Sequence, residues 1–386
     1  MMAEEECLQE EMVPIAAPVA EAGACNHYAP TSSFGQRWWD RARSRHQLVA
    51  GLAGICFVSV VLMMGSQWHE ATKHNKGNPG DVLGLAADDA WRSRRGSFLV
   101  IGDWGWDSRV HGNVYSNSCQ RAIAEAMGQR MALLGDVQFV VNLGDSFYPG
   151  GVVSKTDPQW DEKWRNIYSK ELRSVPWYSV YGNHDYWFDL CACGGPLEEC
   201  ALINANKSNM DLFYMPNYTW SLERPDLGLE VIALDLNRFS EAFDKAKQPE
   251  PVDCMRTRCN SQCRATLNMR TEESLKLFYE RKAASTQPNL LVFSHYPTDY
   301  LWPVPQFISA LKDGSKHHIE YFGGHRHNVD QTTTIPIFPN NNWVVGGGGG
   351  FGCDGPNQGF VVGEVDKDYK ITTYPVLVSR EACCSN

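Results

Sequence analysis

From Ser97 onward, short apolar runs recur along the chain, and most are followed by Gly, Asp or Ser. Runs of this length, closed by turn-forming residues, are typical of buried strands. Helical patterns lie between some of them, notably Ser118 to Leu134 and Thr271 to Ala284, so the alternation predicts a layered α/β domain. The predicted strands are Phe98 to Ile101, Phe139 to Leu143, Trp177 to Tyr181, Val231 to Leu234, Leu290 to Phe293 and Ile319 to Phe322.

Three later apolar runs follow one another without a helical pattern between them. They are Trp343 to Val345, Phe360 to Val365 and Ile371 to Leu377. Strands joined without crossover helices pair in antiparallel fashion more readily than in parallel. The second half of the domain is therefore predicted to be antiparallel or mixed.

The chain before the first strand has a different pattern. Residues 1–36 are rich in Ala, Pro and Glu without periodicity, which is typical of a disordered tail. His46 to Trp68 contains no Asp, Glu, Lys or Arg, and its apolar centre, Leu48 to Met64, spans about 26 Å as a helix. This favours a membrane anchor over a buried core helix. A cleaved signal peptide fits less well, because a long segment precedes the stretch and Met63 and Met64 stand where small residues precede a cleavage site.

The charges around the apolar stretch predict its orientation. Four arginines lie within residues 37–45, whereas Glu70, Lys73 and Lys76 follow the stretch. The positive-inside rule then places the N-terminus in the cytoplasm and the rest of the chain in a lumen or outside the cell, as a type II membrane protein. The predicted segments are a cytoplasmic tail (1–46), a transmembrane anchor (47–68), a stalk (69–96) and a globular domain (97–380).

The cysteines test this topology, because disulfides persist only in oxidising compartments. Ten of the 13 cysteines follow the apolar stretch, an even number suited to disulfides whose pairing the sequence does not give. Zinc binding is the alternative for two cysteine groups, but neither has paired C-x₂-C spacing. Sequons at Asn206 and Asn217 agree with a lumenal placement. The two groups are Cys191, Cys193 and Cys200, and Cys254, Cys259 and Cys263.

The overall charge is acidic. With 35 Lys and Arg against 45 Asp and Glu, the formal net charge is −10. A protein that binds a phosphate backbone needs a basic face, so we expect no nucleic-acid partner. The sequence leaves the oligomeric state open.

Five of the predicted strand ends carry side chains that bind metals. Residues that bind ligands in α/β sheets lie just beyond the carboxyl ends of strands. Carboxylates, an amide, imidazoles and a phenol suit iron, zinc or manganese better than calcium, and one ion does not need so many ligands. The sequence therefore predicts a two-metal site, although each residue alone also fits a loop, cap or buried role. The five blocks are Gly102-Asp103-Trp104-Gly105, Gly144-Asp145-Ser146-Phe147-Tyr148, Gly182-Asn183-His184-Asp185, Ser294-His295 and Gly324-His325-Arg326-His327.

The ordered set GDxG, GDxxY, GNHD, VxxH and GHxH resembles the purple acid phosphatases, a branch of the calcineurin-like metallophosphoesterases, and in particular their smaller, tartrate-resistant type. The resemblance covers residues 102–327 and leaves out residues 1–96 and the insert from Cys254 to Cys263. It implies a four-layer α/β/β/α sandwich with two mixed sheets, here preceded by one transmembrane helix, and makes the globular domain catalytic.

The resemblance also assigns roles to the matching positions. A ferric ion is expected on one set of ligands and a divalent Fe²⁺, Zn²⁺ or Mn²⁺ on the other, with Asp145 bridging them. Tyr148 is the most discriminating ligand, because a phenolate favours Fe³⁺ and gives the family its purple colour. The expected ferric ligands are Asp103, Asp145, Tyr148 and His327, and the expected divalent ligands are Asp145, Asn183, His295 and His325.

The resemblance implies an acid phosphatase that hydrolyses phosphate monoesters. Two adjacent cations orient a phosphate ester and lower the pKa of a bound water enough to supply hydroxide for direct attack. His184 is the candidate for protonating the leaving group, or else only orients Asp185, which is expected to support the ligands from outside. A phosphodiesterase or nucleotidase on the same metals remains an alternative. So does a catalytically silent, membrane-anchored adaptor, although the complete ligand set argues against it.

Several further residues have two interpretations from sequence alone. Gly346 to Gly350 forms either a flexible connection or a rim of the active-site groove. Trp104, Trp106 and Tyr186 either contact substrate or pack in the core. The pair His317 and His318 precedes a strand, and a solvated or packing role is favoured over substrate binding.

Overall fold

The computed structural model describes residues 94–106, 118–185, 202–203, 212–241, 260–350 and 355–384. The predicted tail and anchor, nearly all of the stalk, Tyr186 and the sequon at Asn206 lie outside these residues. Among the helices of the described residues, none combines the length and the apolar character that a membrane span requires.

Six strands form a first sheet, in the order β12-β11-β1-β2-β3-β4. The strands β1 to β4 run parallel to one another, whereas β11 lies antiparallel to both β1 and β12. The sheet is therefore mixed, and its antiparallel part comes from the end of the chain, as predicted. The strands are β1 (Arg94–Ile101), β2 (Val137–Asn142), β3 (Trp177–Ser179), β4 (Phe213–Tyr214), β11 (Gln358–Asp366) and β12 (Ile371–Val378).

The other six strands form a second sheet, in the order β5-β6-β7-β8-β10-β9. Its central strands β6, β7, β8 and β10 are parallel, and the edge strands β5 and β9 are antiparallel to their neighbours. The prediction of two mixed sheets is thus confirmed. The strands are β5 (Trp220–Arg224), β6 (Leu229–Ala233), β7 (Asn289–Phe293), β8 (His318–Gly323), β9 (Val329–Asp330) and β10 (Asn341–Val345).

Helices cover the outer faces of both sheets. The first predicted helix has the bounds expected from its pattern, whereas the second begins at Asn260 and not at Thr271. Its first turns place Cys263, Leu267 and Arg270 in the interior. Because this buried face includes an arginine, the sequence there lacks the continuous apolar stripe that indicates a helix. The helices are α1 (Ser118–Leu134), α2 (Lys170–Arg173), α3 (Asn260–Ala284), α4 (Pro305–Lys312) and α5 (Arg380–Cys384), with short π- or 3₁₀-turns at Trp160–Arg165, Asn237–Glu241 and Thr298–Leu301.

Alternation along the strands creates three apolar layers. In β1, Leu99 and Ile101 face α1, whereas Phe98 and Val100 face the second sheet. The opposite face of the second sheet packs on α3 and α4 through residues such as Val292. Successive strand side chains point to opposite faces, so strands buried on both sides read as continuous apolar runs.

One disulfide joins the two ends of the described domain. Cys119 at the start of α1 is bonded to Cys383 in α5. Cys263 is likewise disulfide-bonded. Both findings agree with the prediction that cysteines after the apolar stretch form disulfides. Six of the ten cysteines lie outside the described residues, as does the side chain of Cys384.

Candidate metal centre

The two sheets bring their carboxyl ends to one place, and all seven predicted ligands lie there. The loops after β1, β2 and β3 carry four of them, and the loops after β7 and β8 carry three. Asp103, Asp145 and His325 have positive φ angles of 56°, 50° and 67°. Left-handed backbone is uncommon for residues other than glycine and clusters at functional sites.

Around Tyr148, oxygen donors predominate. Its hydroxyl lies 3.1 Å from Asp103 Oδ1 and 3.0 Å from Asp145 Oδ2. His327 Nε2 is 3.3 Å from the same hydroxyl and 3.8 Å from Asp103 Oδ1. A phenol has one hydrogen to donate, so it cannot satisfy two buried carboxylates together. A cation bound between these four groups would satisfy all of them.

Around Asn183, nitrogen donors predominate. Asn183 Oδ1 lies 3.0 Å from His295 Nε2 and 3.0 Å from His325 Nδ1, and these two ring nitrogens are 3.2 Å apart. His295 Nε2 is also 3.5 Å from Asp145 Oδ2. The other nitrogen of His295 lies 2.8 Å from the Leu143 carbonyl oxygen, a bond that leaves the Nε2 lone pair for a metal. Ligand atoms of Asp145, His295 and His325 lie within 4.8 Å of one another.

Without bound ions, burial and the neighbouring charges shift the pKa values of the carboxylates and imidazoles in the cluster. Burial raises the pKa of Asp103 well above its usual range. Burial would also raise the pKa of Asp145, but His295 and His184 hold it below its usual range. Despite burial, Asp145 and Asp103 raise the pKa of His295 to about 10.

The pKa values of the groups that flank the carboxylates are shifted as well. Burial, followed by the charge of His295, lowers the pKa of His325 well below its usual range. Burial and the two carboxylates raise the pKa of Tyr148. The cluster balances its charges by sharing protons, and bound cations would take over that role because metal ligands must be deprotonated. The donor set therefore fits a two-metal centre.

Glycines let the ligands approach one another. A Cβ at Gly182 would collide with Asp145 Oδ1, and a Cβ at Gly346 would lie 2.7 Å from Asp103 Oδ2. The glycine-rich segment from Gly346 to Gly350 is buried, and the Gly350 amide donates to the Asp103 carbonyl at 2.8 Å. The segment is thus an ordered wall of the site, which excludes the flexible connection considered from sequence.

His184 and Asp185 occupy different surroundings. His184 is partly exposed, with Nδ1 2.7 Å from the Pro149 carbonyl oxygen and its amide donating to Asp145 Oδ1 at 2.9 Å. Asp185 is buried and accepts bonds from the amides of Ser146 and Gly182 at 3.0 and 2.9 Å. It therefore ties the Asp145 loop to the Asn183 loop. Burial, followed by the charge of Asp145, raises the pKa of Asp185 to about 7.

Among the other residues considered from sequence, Trp104 packs in the core and His317 lies away from the ligands. Trp104 is fully buried, and its Nε1 donates to Asn142 Oδ1 at 2.9 Å. Trp106 is partly exposed. His317 lies at the opposite end of β8 from the ligands, with ring nitrogens 2.7 and 3.0 Å from two backbone carbonyls, and His318 contacts Glu320. Asn217 is partly exposed in the loop before β5.

The segment after His295 places further side chains beside the candidate ligands, and the sequence motifs did not indicate them. The rings of Tyr296 and Tyr300 flank His325, with centroids 4.7 and 4.9 Å from the imidazole. Asp299 forms an ion pair with Arg326, the residue between the two histidines of the last block. The sequence signal was the run Tyr-Pro-Thr-Asp-Tyr directly after a ligand, which by itself does not distinguish packing from ligand support.

Comparison with known proteins agrees with this geometry. Purple acid phosphatase 3 of Arabidopsis thaliana is 41% identical over 101 residues, which cover 26% of this chain and 25% of that protein. Tartrate-resistant acid phosphatase type 5 of Homo sapiens is 34% identical over 233 residues, 58% of this chain and 62% of that protein. The chain therefore spans between a quarter and about three fifths of the length of these relatives. They confirm the resemblance to the purple acid phosphatases.

A solved structure described as GAP50, the anchor in the inner membrane complex of Plasmodium, covers 73% of this chain and 84% of its own at 20% identity. Its TM-score of 0.46 is too low to support an argument. The family model described as calcineurin-like phosphoesterase matches residues 96–329, more than half of the chain, and includes all seven candidate ligands. The chain belongs to the calcineurin-like phosphoesterase family.

Proposed function

We propose that the protein is a purple acid phosphatase of the tartrate-resistant type, which hydrolyses phosphate monoesters at a binuclear centre of Fe³⁺ with Fe²⁺, Zn²⁺ or Mn²⁺. The observation that carries this proposal is the convergence of seven donors into two groups with Asp145 in both. The names of the relatives support the same activity.

In this proposal, the group of side chains around Tyr148 binds one ion, the group around Asn183 binds the other, and Asp145 binds both. Asp103, Asp145, Tyr148 and His327 would hold the ferric ion, because a phenolate and carboxylates are hard anionic donors. The remaining ligands, Asn183, His295 and His325, would hold the divalent ion together with Asp145. When bound, the two ions orient the phosphate ester, neutralise its oxygens and lower the pKa of a bound water.

His184 is the proposed proton donor. Its Nδ1 bond to the Pro149 carbonyl oxygen requires a hydrogen on that nitrogen, so the exchangeable proton lies on Nε2. A protonated imidazole donates that proton to the departing alkoxide oxygen, which turns a poor leaving group into an alcohol. Its amide bond to Asp145 Oδ1 fixes the residue relative to the ligands.

We also propose that residues 47–68 anchor the protein as a single-pass type II membrane protein with its catalytic domain in a lumen or outside the cell. The uncharged apolar stretch and the four arginines before it support this orientation. Val60→Lys combined with Val61→Lys should release the full chain from membranes in alkaline carbonate. Asn217→Gln should increase electrophoretic mobility if the sequon is glycosylated, and unchanged mobility would count against a lumenal placement of this loop.

The decisive experiment for the enzyme uses one preparation of the full chain. Visible absorption, metal analysis and p-nitrophenyl phosphate turnover across acid pH are measured for wild type, Tyr148→Phe and His295→Ala. We expect a broad charge-transfer band that Tyr148→Phe abolishes. His295→Ala should keep the band but lose the divalent ion and activity.

Other outcomes would change the assignment in defined ways. Folded protein that binds no metal and has no activity would favour an adaptor. Active protein that binds two metals but lacks the band would exclude Tyr148 as a ligand of Fe³⁺. Faster turnover of bis-p-nitrophenyl phosphate than of the monoester would indicate a phosphodiesterase.

A further inference from the structure

A buried polar network lies beside the Asn183 loop, at the carboxyl end of β6. Its members Asp235, Asn237 and Arg270 are 1%, 2% and 1% exposed. Asn237 Nδ2 donates to Asp235 Oδ1 at 2.9 Å, and Asp235 Oδ2 lies 3.5 Å from Arg270 Nη1. Buried charges are costly unless they are paired and hydrogen-bonded, so the network is stable only as a unit.

This network contacts the residue that leads into the Asn183 loop. Asn237 Nδ2 also donates to the Tyr181 carbonyl oxygen at 3.0 Å. The Arg270 guanidinium lies 5.6 Å from the centroid of the Tyr181 ring. The Tyr181 backbone also lies close to Gly144, where an added Cβ would lie 2.7 Å from the Tyr181 carbonyl carbon. Tyr181 therefore contacts both the Asp145 loop and Asn237.

We propose that Asn237 is a positioning residue that sets the place of Asn183 as a ligand of the divalent ion. The inference rests on the proposed function. Asn183 follows Tyr181 by two residues, and its Oδ1 lies 3.0 Å from nitrogens of both His295 and His325. A shift of the Tyr181 carbonyl would move that oxygen away from the two imidazoles.

The contacts explain why an amide is required at position 237. Both groups that Asn237 Nδ2 faces, the Tyr181 carbonyl and the Asp235 carboxylate, accept hydrogen bonds and donate none. Within the part of the chain that the structure describes, Asn237 Oδ1 has no hydrogen-bond partner. The side chain therefore acts as a double donor, and an isosteric carboxylate at this position would face a carboxylate and a carbonyl. Loss of such outer support typically weakens metal binding about 10–100-fold.

Asn289 provides a matched control. It is 3% exposed, and its Nδ2 also bridges two acceptors, the carbonyls of Gly228 and Tyr369, at 3.2 and 2.7 Å. It opens β7, at the opposite end of the strand from His295. Asn289→Asp removes the same kind of double donor without touching a ligand loop.

The test is a Zn²⁺ titration of the full chain holding one ferric ion, for wild type, Asn237→Asp, Asn237→Ala and Asn289→Asp. Zn²⁺ affinity is measured by calorimetry, the ferric band by absorbance and stability by urea unfolding. We expect Asn237→Asp and Asn237→Ala to raise the Kd for Zn²⁺ at least about tenfold and to leave the ferric band unchanged. Asn289→Asp should lose stability while keeping wild-type Zn²⁺ affinity.

Each outcome decides a separate question. If Asn237→Asp does not fold, Asn237→Ala decides, because it removes the donor without adding a charge. A folded Asn237→Ala protein with wild-type Zn²⁺ affinity would overturn the positioning role, as would an equal loss of affinity in Asn289→Asp. If wild type itself binds no second metal, the proposed function fails instead.

Discussion

The two sheets supply chemically different halves of the candidate metal centre. Among the candidate ligands, those on the loops of the first sheet bind through oxygen (Asp103, Asp145, Tyr148 and Asn183), whereas those on the loops of the second bind through imidazole nitrogen (His295, His325 and His327). The first half contains buried anions that are unfavourable without a cation, and the second contains groups that are neutral when they bind metal. Neither sheet alone holds a complete site.

The halves meet at a small number of contacts. His295 Nε2 is 3.5 Å from Asp145 Oδ2 and 3.0 Å from Asn183 Oδ1, and the His325 amide donates to Asp103 Oδ2 at 2.9 Å. Metal binding should therefore stabilise the packing of one sheet on the other, and changes at these contacts should affect both ions.

The largest effect is expected from Asp145→Asn, which weakens the one ligand that the two proposed ions share. We expect loss of both metals and a fall in p-nitrophenyl phosphate turnover of at least about 1000-fold, or roughly 4 kcal/mol of transition-state stabilisation. Metal analysis and steady-state kinetics measure it. Asp157→Asn is the control, because Asp157 is also buried and accepts two amide bonds but lies outside the ligand set. If Asp145→Asn lost only one ion, the idea of a shared ligand would fail.

Removing the metals tests how strongly the buried carboxylates of the first sheet destabilise the protein when no cation is bound. A ligand at about 1000 times its Kd stabilises a protein by about 4 kcal/mol, so chelation should lower the melting temperature clearly.

The folded metal-free protein holds the Asp185 proton up to about pH 7, whereas the unfolded chain releases it at about pH 4. Metal-free stability therefore falls as pH rises through this window, while metal binding strengthens. The difference in melting temperature between loaded and stripped protein should be larger at pH 7 than at pH 5, and the reverse order would contradict this account.

A smaller effect is expected from Gly346→Ala, at the boundary between the halves. The added Cβ would lie 2.5 Å from the Arg326 carbonyl oxygen and 2.7 Å from Asp103 Oδ2. Overpacking of this kind costs about 1–3 kcal/mol, which denaturant unfolding measures. Gly128→Ala in α1 is the control, because its Cβ would approach nothing closer than Leu172 Cδ1 at 4.0 Å. That variant should gain up to about 1 kcal/mol, and an equal loss in both would refute a special role for Gly346.

The strands and the positions of the candidate ligands were predictable from sequence because both follow local rules. Buried parallel strands read as apolar runs, and the ligands stand directly after them, so Asp103, Asp145 and His295 could be located from position alone. The helix Ser118–Leu134 was predicted with its observed bounds for the same reason.

The remaining features depend on contacts between distant residues. Tyr181, Asn237 and Arg270 belong to three different elements, and only tertiary packing reveals that they form one network. Trp104 and Tyr148 both follow a ligand aspartate and are both fully buried, yet one packs in the core and the other faces the two carboxylates. Residue type and spacing do not separate these two outcomes.

The bridge between Cys119 and Cys383 links residues 264 positions apart, so nearly the whole described domain lies inside one covalent loop. A protease that cuts once anywhere within that loop produces two fragments that remain joined through the bridge. A nicked chain would therefore migrate as a single species under non-reducing conditions and separate into two only after reduction, with its candidate metal ligands still held on one covalently connected molecule.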